Sequence, residues 1–171
     1  MEFFETVKAR HSIRAFKDKA VEEEKLKKIL ETANSAPSAH DLQAYEIVVV
    51  RDKKRKAALT EAASGQSFIT QAPVVLVVLA NPKRCMGGDA RGQFYCILDA
   101  AIAASYIQLA AADLDLGTVW VGSFDDEAVR EIVAAPEEMR PVAIIPVGYA
   151  AEKPRPTPRR KLSDLVHEEK F

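Results

Sequence analysis

The sequence predicts a single domain that mixes α-helices with β-strands. Three apolar runs rich in β-branched residues, 45–50, 73–80 and 141–149, predict buried strands. The segments between them carry apolar residues at helical spacing and begin at residues that can cap a helix. The chain has 171 residues, 48% of them hydrophobic, which is enough for one core and leaves little for a second.

The N-terminal part contains two predicted helices. A short helix should run from Phe3 to about Arg10 and lead into a basic turn. A stronger helix opens at the acidic triplet 22–24, where carboxylates favour the positive helix end, and stops around 34–35. The buried stripe of this second helix should consist of Leu26, Ile29, Leu30 and Ala33.

The remaining patterns bring the prediction to about four strands and five helices. An irregular stretch over 81–93 precedes an alanine-rich helix, whose small side chains permit close packing and make it the expected central helix. In chain order these further elements are a helix capped by Asp52 and running to about Ala63, the central helix over 93–114, a strand over 118–121 and a helix from 125–126.

The chain changes character at Glu152. Prolines at 154, 156 and 158 exclude a helix interior or a central strand, so we expect an extended arm. At ~3.1 Å per residue, 153–161 would cover roughly 25 Å, enough to lie over a neighbouring subunit. The domain is therefore expected to consist of a body, 1–151, and an arm, 152–171, that packs on a partner. Leu162, Leu165 and Val166 would give this arm an apolar anchor. An arm that folds back on its own body is the alternative.

Charge and cysteine content narrow the function classes. The net charge of −1 and pI near 6.3 argue against a non-specific nucleic-acid binder, which usually carries a basic excess. Cys85 and Cys96 form no CxxC pair and accompany no metal-like histidine cluster, so we expect free thiols and no metal. No signal-like N-terminus or apolar stretch near ~20 residues is present, which predicts a soluble, cytoplasmic protein without a membrane partner.

Two basic clusters stand out in this balanced chain. The first reads Arg10-His11-Ser12-Ile13-Arg14, and the second, 159–161, reads Arg-Arg-Lys. Alternate residues of an extended segment project to one face, so Arg10, Ser12 and Arg14 could all reach one phosphate. The alternative is that these cations only close the first helix, where the dipole favours them by about 0.3–1 kcal/mol.

Common nucleotide-binding and hydrolase motifs are missing. The glycines of 87–92 have the wrong spacing for a dinucleotide fingerprint, and the chain has no GK[ST] phosphate loop. Gly122-Ser123-Phe124 lacks the second glycine of a nucleophile elbow, and three scattered histidines suggest no triad. A phosphate site without phosphoryl-transfer residues predicts a phosphorylated cofactor that carries its own chemistry.

Four ordered segments and the arm resemble the nitroreductase family of FMN-dependent oxidoreductases. They are Arg-His-Ser-Ile-Arg at 10–14, Ala-Pro-Ser-Ala-His-Asp-Leu-Gln at 36–43, Gly-Thr-Val-Trp-Val-Gly at 117–122 and Pro-Val-Gly-Tyr at 146–149. The resemblance covers nearly the whole chain. It implies an α+β three-layer sandwich with a mostly antiparallel central sheet flanked by helices. It also implies a homodimer that exchanges C-terminal arms and binds FMN at the subunit interface.

The resemblance further implies which residues contact FMN. Basic residues of both clusters would hold its phosphate and ribityl end, and the loop before the first strand would reach it from the partner subunit. Gln66 would address the pyrimidine edge, and a backbone N–H at Val121 or Gly122 would meet flavin N5. In chain order the implied residues are Arg10, His11, Ser12, Arg14, Pro37, Ser38, Ala39, Asp41, Gln43, Gln66, Val121, Gly122, Arg159 and Arg160.

Two features depart from the commoner family pattern. His40-Asp41 replaces a frequent Gly-Asn pair, so an amide becomes a carboxylate that only accepts hydrogen bonds when ionised. This substitution puts the contact at Asp41 in doubt. The chain also has little room for the helices that cover the active site in longer relatives, which predicts an open substrate face.

The implied reaction is a hydride transfer from NADH or NADPH to flavin N5, followed by reduction of a small planar acceptor at the same ring face. The acceptor would be a nitroaromatic, a quinone or a flavin, and the kinetics would be ping-pong. No side chain need act as a nucleophile, so we expect no catalytic residue. Relatives that fragment flavin or remove halogens reductively give one alternative. A non-enzymatic module that stores FMN gives another.

Overall fold

The computed structural model describes residues 1–85, 87, 90–154 and 156–171 and has an α+β architecture. The helices are α1 (Phe3–Ala9), α2 (Glu23–Asn34), α3 (Lys53–Ala62), α4 (Phe68–Gln71), α5 (Ala90–Asp113) and α6 (Asp126–Ile132). The strands are β1 (Tyr45–Val50), β2 (Val74–Ala80), β3 (Gly117–Thr118) and β4 (Arg140–Gly148). Three 3-10 turns lie at Ala39–Asp41, Pro82–Arg84 and Leu162–Asp164.

The four strands form one antiparallel sheet in the order β1-β2-β4-β3. The two central strands, β2 and β4, pair from Val74 opposite Val147 to Ala80 opposite Arg140, with a register shift at 78–79. Every residue of β2 is buried, as expected for an apolar run covered on both faces. The edges of the sheet are therefore β1 on one side and β3 on the other.

Helices cover both faces of this sheet and make three layers. On one face α2 and α5 pack on alternate strand residues such as Leu76 and Ile145, around the fully buried Ile107 of α5. On the other face the opposite set, including Val77 and Ile144, packs against α3, α4 and α6. This arrangement confirms the predicted α+β sandwich.

The central helix α5 lies within the layer that it shares with α2. Among the described residues it is the one helix long and apolar enough to cross a bilayer. It contacts α2, β2 and β4, and its Ala100, Ala103 and Ala104 are fully buried. The helix is thus part of the core of the domain.

Local capping explains several helix boundaries. The side chain of Asp52 accepts the Arg55 N–H at 2.9 Å, and Asp125 accepts the Ala128 N–H at 2.8 Å, so α3 and α6 begin where the sequence predicts. Leu26, Ile29 and Ala33 of the predicted α2 stripe are buried.

The prediction missed one helix and placed two boundaries wrongly. The missed helix is α4, because a four-residue helix shows no periodicity. The central helix starts at Ala90 rather than at Gln93, since alanine and arginine are good helix formers that extend it by almost a turn. The strand predicted over 118–121 is shorter, because only Gly117–Thr118 pairs continuously and Val121 makes an isolated bridge to Ile144. In the predicted irregular stretch, Met86, Gly88 and Asp89 lie outside the described residues.

The two ends of the chain expose apolar side chains. Phe3 and Phe4 of α1 are 64% and 74% exposed, and the described residues of 152–171 are exposed throughout. In the arm these include Leu162 and Val166, which were expected to anchor it. Arg155 lies outside the described residues. Within one protomer, the arm anchor does not pack into the body.

Candidate functional site

The first basic segment runs along the β3 edge of the sheet. Ser12 bridges Thr118 in parallel, and the Ile13 N–H donates to the Thr118 carbonyl at 2.9 Å. A Cβ on Gly117 would lie 2.8 Å from Ile13 Cγ1, so only glycine permits this close approach. Ile13 is buried while Ser12 and Arg14 are exposed, which confirms the predicted alternation of faces.

The cations of this segment are uncompensated in the protomer. Across the described parts of the chain, neither Arg10 nor Arg14 forms an ion pair. The His11 ring is already engaged, because its Nδ1 lies 2.9 Å from the Ala9 carbonyl oxygen. A cavity of about 240 Å³ adjoins the segment and is lined by Arg10, His11 and Thr118, among others. Positive charge is therefore available at this edge for an external anion.

The chain continues from β3 to a turn with a free backbone donor. Val121 exchanges both backbone hydrogen bonds with Ile144, at 3.0 Å each. The N–H of Gly122, which is exposed, has no acceptor among the described residues. Of the two predicted backbone contacts, the structure thus leaves only Gly122 N–H available to a ligand.

Gln66 lies beside the same turn. Its Nε2 donates to the Ala63 carbonyl at 3.0 Å and lies 3.5 Å from the Ser123 carbonyl oxygen. The start of α6 is tied to α3 here as well, since the Asp125 N–H donates to the Ala62 carbonyl at 2.9 Å. The structure therefore brings together Gln66 and Gly122, two predicted site residues that are distant in sequence.

The loop at 37–43, which leads into β1, has an unusual backbone. His40, Asp41 and Gln43 have φ values of 53°, 55° and 50°, in the left-handed region that costs non-glycine residues about 1–2 kcal/mol each. The Ser38 Oγ accepts the Gln43 N–H at 2.9 Å and so closes the loop on itself. Such a conformation persists only where its surroundings impose it.

Two residues outside the loop hold it in place. Asp99 of α5 accepts the Ala39 N–H at 2.8 Å through Oδ1. Arg84 donates from Nε to the carbonyl oxygens of Leu42 and Gln43, at 3.0 and 3.3 Å. Asp99 is 3% exposed, so the loop is attached to the core of the domain.

The structure does not bring all predicted site residues together in one protomer. The loop at 37–43 precedes β1, whereas the basic segment 10–14 and Gly122 lie along β3 at the opposite edge. Three strand spacings separate these edges, about 14 Å. Pro37 and Asp41 of the loop are exposed. Each protomer thus presents two separate halves of the predicted site.

Among the described residues, no hydrogen bond or ion pair joins the predicted arm cations to the first basic segment. Arg159 Nη1 donates to the carbonyl oxygens of Thr157 and Pro158, at 3.3 and 3.4 Å, which are its own neighbours in the arm. Arg160 is exposed and forms no ion pair with any described residue. Both cations are free to act on a surface outside their own body.

Sequence reasoning missed three residues that support the site. Asp99 and Arg84 hold the loop, and the Glu152 carboxylate accepts the backbone N–H of Arg14 at 2.5 Å. Asp99 carried a detectable signal, because it is the one charged residue of α5 between Arg91 and Asp113. A lone carboxylate in an apolar, alanine-rich helix indicates a specific partner.

The donor set suits a phosphorylated planar ligand. Free arginines can neutralise a phosphate at the β3 edge, and the Gly122 N–H can donate to a ring placed along the same edge. The sequence model of the Nitroreductase family matches residues 7–67 and 60–149.

The chain belongs to the nitroreductase family. Similar family proteins include an NADH dehydrogenase of Thermus thermophilus, 35% identical over 192 residues, with 92% of this chain and 91% of that protein covered. An NADPH-dependent oxidoreductase of Staphylococcus aureus is 32% identical, with coverages of 98% and 73%. The chain is accordingly an oxidoreductase.

Solved structures agree with this family assignment. NfrA2 of B. megaterium superposes with a TM-score of 0.94 at 30% identity, covering 100% of this chain and 75% of that one. The NADPH:FMN oxidoreductase of Vibrio harveyi, solved with NAD+, gives a TM-score of 0.94 at 25% identity, with coverages of 99% and 77%. Almost the whole of this chain therefore superposes on about three quarters of each of these longer relatives.

Proposed function

We propose that this nitroreductase is a homodimeric, FMN-dependent oxidoreductase that passes electrons from NADH or NADPH to small planar acceptors. The acceptor classes are nitroaromatics, quinones and flavins. The observation that carries the proposal is the division of the site into two halves at opposite sheet edges. One half offers uncompensated cations and a free backbone donor, and the other offers an exposed loop held in a strained conformation.

Named relatives support the choice of cofactor and electron donor. The Vibrio harveyi structure is that of an NADPH:FMN oxidoreductase in complex with NAD+, and the Staphylococcus aureus relative is an NADPH-dependent oxidoreductase. FMN carries one phosphate, which matches the single cluster of free cations beside β3. When bound, FMN supplies the hydride chemistry, so this chain need provide no nucleophile.

The residues of this chain would bind and orient the cofactor. Arg10, Ser12 and Arg14 would hold the phosphate, joined by Arg159 and Arg160 of an arm. Gly122 N–H would donate to the flavin ring. The Gln66 side chain would present its free amide oxygen to the pyrimidine edge, or its amide N–H if the side chain rotates. The loop at 37–43 of the second copy would close the site, contributing Pro37, Ser38, Ala39, Asp41 and Gln43.

Exposed apolar surface supports the homodimer. Phe3, Phe4 and Val7 of α1 are 64%, 74% and 45% exposed, and the arm adds Leu162 and Leu165 at 74% and 56%. A groove of about 780 Å³ also opens between α1, α2 and α5. Exposed apolar side chains of this size are typical of an interface. In the proposed dimer, the second copy would cover them and bring its loop at 37–43 to the basic segment of the first.

The carboxylate of Asp41 needs a donor in this arrangement. Asp41 is exposed in the protomer, so water satisfies it there. Inside a dimer interface it would have to accept from ribityl hydroxyls or backbone N–H groups, because an unpaired buried charge is costly. The sequence departs from the commoner amide at this position, and the proposed ribityl contact is compatible with an acceptor-only side chain.

Anaerobic titration tests the proposed function. The purified chain is saturated with FMN, its visible spectrum is recorded, and NADH or NADPH is added without oxygen. Bleaching of the flavin bands, followed by reoxidation with a quinone or a nitroaromatic, is the expected result. Initial rates measured at varied concentrations of the nicotinamide and the acceptor should give the parallel double-reciprocal lines of a ping-pong mechanism. A chain that binds FMN but ignores both nicotinamides would contradict the proposal, and so would a chain that binds no FMN.

A further inference from the structure

Asp99 is a buried carboxylate with an unusual position. It lies in the apolar central helix α5, is 3% exposed, and forms no ion pair with a lysine, arginine or histidine of the described chain. Taking a carboxylate out of water is expensive unless hydrogen bonds compensate for it. It accepts the Ala39 N–H, 60 residues away in sequence, at 2.8 Å.

This hydrogen bond falls at the start of the strained loop. Ala39 directly precedes His40 and Asp41, two residues with left-handed backbone conformations. As the acceptor of this hydrogen bond, the Asp99 side chain stabilises a backbone that the loop sequence alone would not favour.

Arg84 holds the far end of the same loop from the surface. Its Nε donates to the carbonyl oxygens of Leu42 and Gln43, while Asp99 holds the near end from the core. The exposed side chains of His40 and Asp41 lie between these two anchors. The loop is thus fixed at its backbone and leaves these side chains available to another molecule.

We infer that Asp99 and Arg84 are positioning residues, which hold the loop at 37–43 in the shape that the second subunit's FMN requires. This inference rests on the proposed function. Neither residue need touch the cofactor, because both act on the loop backbone. Asp99 is the stronger anchor, since its side chain is buried in the core of the domain, whereas Arg84 is exposed to water.

The test combines amide hydrogen exchange with FMN binding in the full-length protein. Exchange of the peptide spanning 36–44 is measured without FMN by mass spectrometry, and the FMN dissociation constant is measured by fluorescence quenching. Asp99→Leu removes the acceptor, whereas Asp99→Asn keeps an oxygen that can accept the Ala39 N–H. Arg84→Met changes an exposed side chain, and so tests the loop in a protein whose core is intact.

We expect Asp99→Leu to speed exchange in the loop and to raise the FMN dissociation constant at least tenfold. Asp99→Asn should restore both quantities to within about threefold of the wild-type values, and Arg84→Met should show a smaller change in the same direction. Thr60→Val is the matched control. It removes a buried hydroxyl that donates to the Lys56 backbone carbonyl at 3.0 Å, on the other face of the sheet, and should leave both quantities unchanged.

The outcomes separate this inference from the proposed function. Wild-type FMN binding that persists unchanged in Asp99→Leu and Arg84→Met would overturn the inference alone. Unaltered loop exchange in both variants would also overturn it, because the loop would then hold its shape without them. A wild-type protein that binds no FMN would overturn the proposed function and the inference together. A loss of FMN affinity in Thr60→Val equal to that in Asp99→Leu would show a general effect of stability and overturn the positioning role.

Discussion

The backbone N–H of Arg14 donates to Oε1 of Glu152 at 2.5 Å, which joins the first basic segment to the beginning of the arm. Two backbone hydrogen bonds reinforce the junction, from Lys17 N–H to the Tyr149 carbonyl at 2.8 Å and from Ala151 N–H to the Ala15 carbonyl at 2.9 Å. The arm therefore leaves the body beside the proposed phosphate site. Arg159 and Arg160 follow several residues later, and in the proposed dimer they would reach the second copy.

Removal of the arm should abolish both the dimer and the cofactor. A chain truncated after Ala151 loses Arg159 and Arg160 together with the apolar residues expected to anchor the arm. We expect a colourless monomer, since neither the second half-site nor the arm cations would be available. Light scattering coupled to size exclusion measures the mass, and the visible spectrum measures bound flavin. A truncated protein that stays dimeric and yellow would refute arm exchange.

The arginines of the first segment should contribute strongly to cofactor affinity. A hydrogen bond to a charged group contributes about 1.5–3 kcal/mol, so Arg14→Ala should weaken FMN binding about 10–150-fold. Arg10→Ala should act similarly, because neither side chain has an ion-pair partner in the described protomer. Isothermal titration with FMN and with riboflavin measures the effect.

Riboflavin and a distant cation provide the controls for this prediction. Riboflavin lacks the phosphate, so the variants should bind it as the wild type does. Lys54→Ala changes the net charge equally at an exposed position of α3 and should leave FMN affinity within twofold. Equal losses for FMN and riboflavin would place these arginines away from the phosphate.

The free donor at Gly122 should affect the reduction step. Gly122→Pro removes the N–H, and the extended Val121, which bridges Ile144, is compatible with a following proline. We expect flavin reduction by NADH or NADPH to slow at least tenfold, measured by stopped-flow absorbance. Gly122→Ala keeps the N–H, and its Cβ would meet only the Trp120 ring, at 3.3 Å from Nε1 and 3.5 Å from Cδ1, so it should stay close to wild type. Equal rates in all three proteins would exclude a role for this donor.

The two cysteines should differ in reactivity. Both are free, but Cys96 is buried, and burial together with the neighbouring Cys85 thiol raises the pKa of Cys96 to about 12. Because the thiolate is the nucleophile, Cys96 should be almost unreactive at pH 8. Titration with a chromogenic disulfide should give one accessible thiol in the native protein and two after denaturation. Cys85→Ser should abolish the native signal, and a native signal that persists in that variant would contradict the assignment.

The N-terminus should make stability depend on pH. The Met1 ammonium lies 2.6 Å from Asp113 Oδ1. Its hydrogen bond to that carboxylate raises the pKa of the ammonium above its usual value of 8.0. The same hydrogen bond lowers the pKa of Asp113 below 3.8. The pair thus stabilises the fold between these values and is lost as pH rises through the raised pKa or falls through the lowered one.

Thermal unfolding at two pH values tests this pair. Asp113→Asn should lower the Tm at pH 6, where both groups are charged, and the difference should shrink at a second, alkaline pH above the raised pKa of the Met1 ammonium. Thr6 Oγ1 also donates to Asp113 Oδ1 at 3.1 Å, so a small difference should remain at high pH. A constant difference across this range would assign the whole effect to Thr6.

Local chemistry made much of this fold predictable. The strand β2 was predicted from its uninterrupted apolar run, and the starts of α3 and α6 from their capping residues, Asp52 and Asp125. These features depend only on residues that are close in sequence, and the structure confirms the predictions. The left-handed backbone of His40 and Asp41 was not predictable, because it depends on Asp99, which lies about 60 residues away. The basic segment was recognisable, but its place beside β3 depends on the long-range bridge to Thr118.

The strand order β1-β2-β4-β3 keeps the two halves of the proposed site on opposite edges of every protomer. An isolated chain would then be inactive however well it folds. In solutions dilute enough for the dimer to dissociate, total activity would scale with the square of the protein concentration. Subunits with different defects could also rescue one another when expressed together. A cell could therefore control this activity through protein abundance alone.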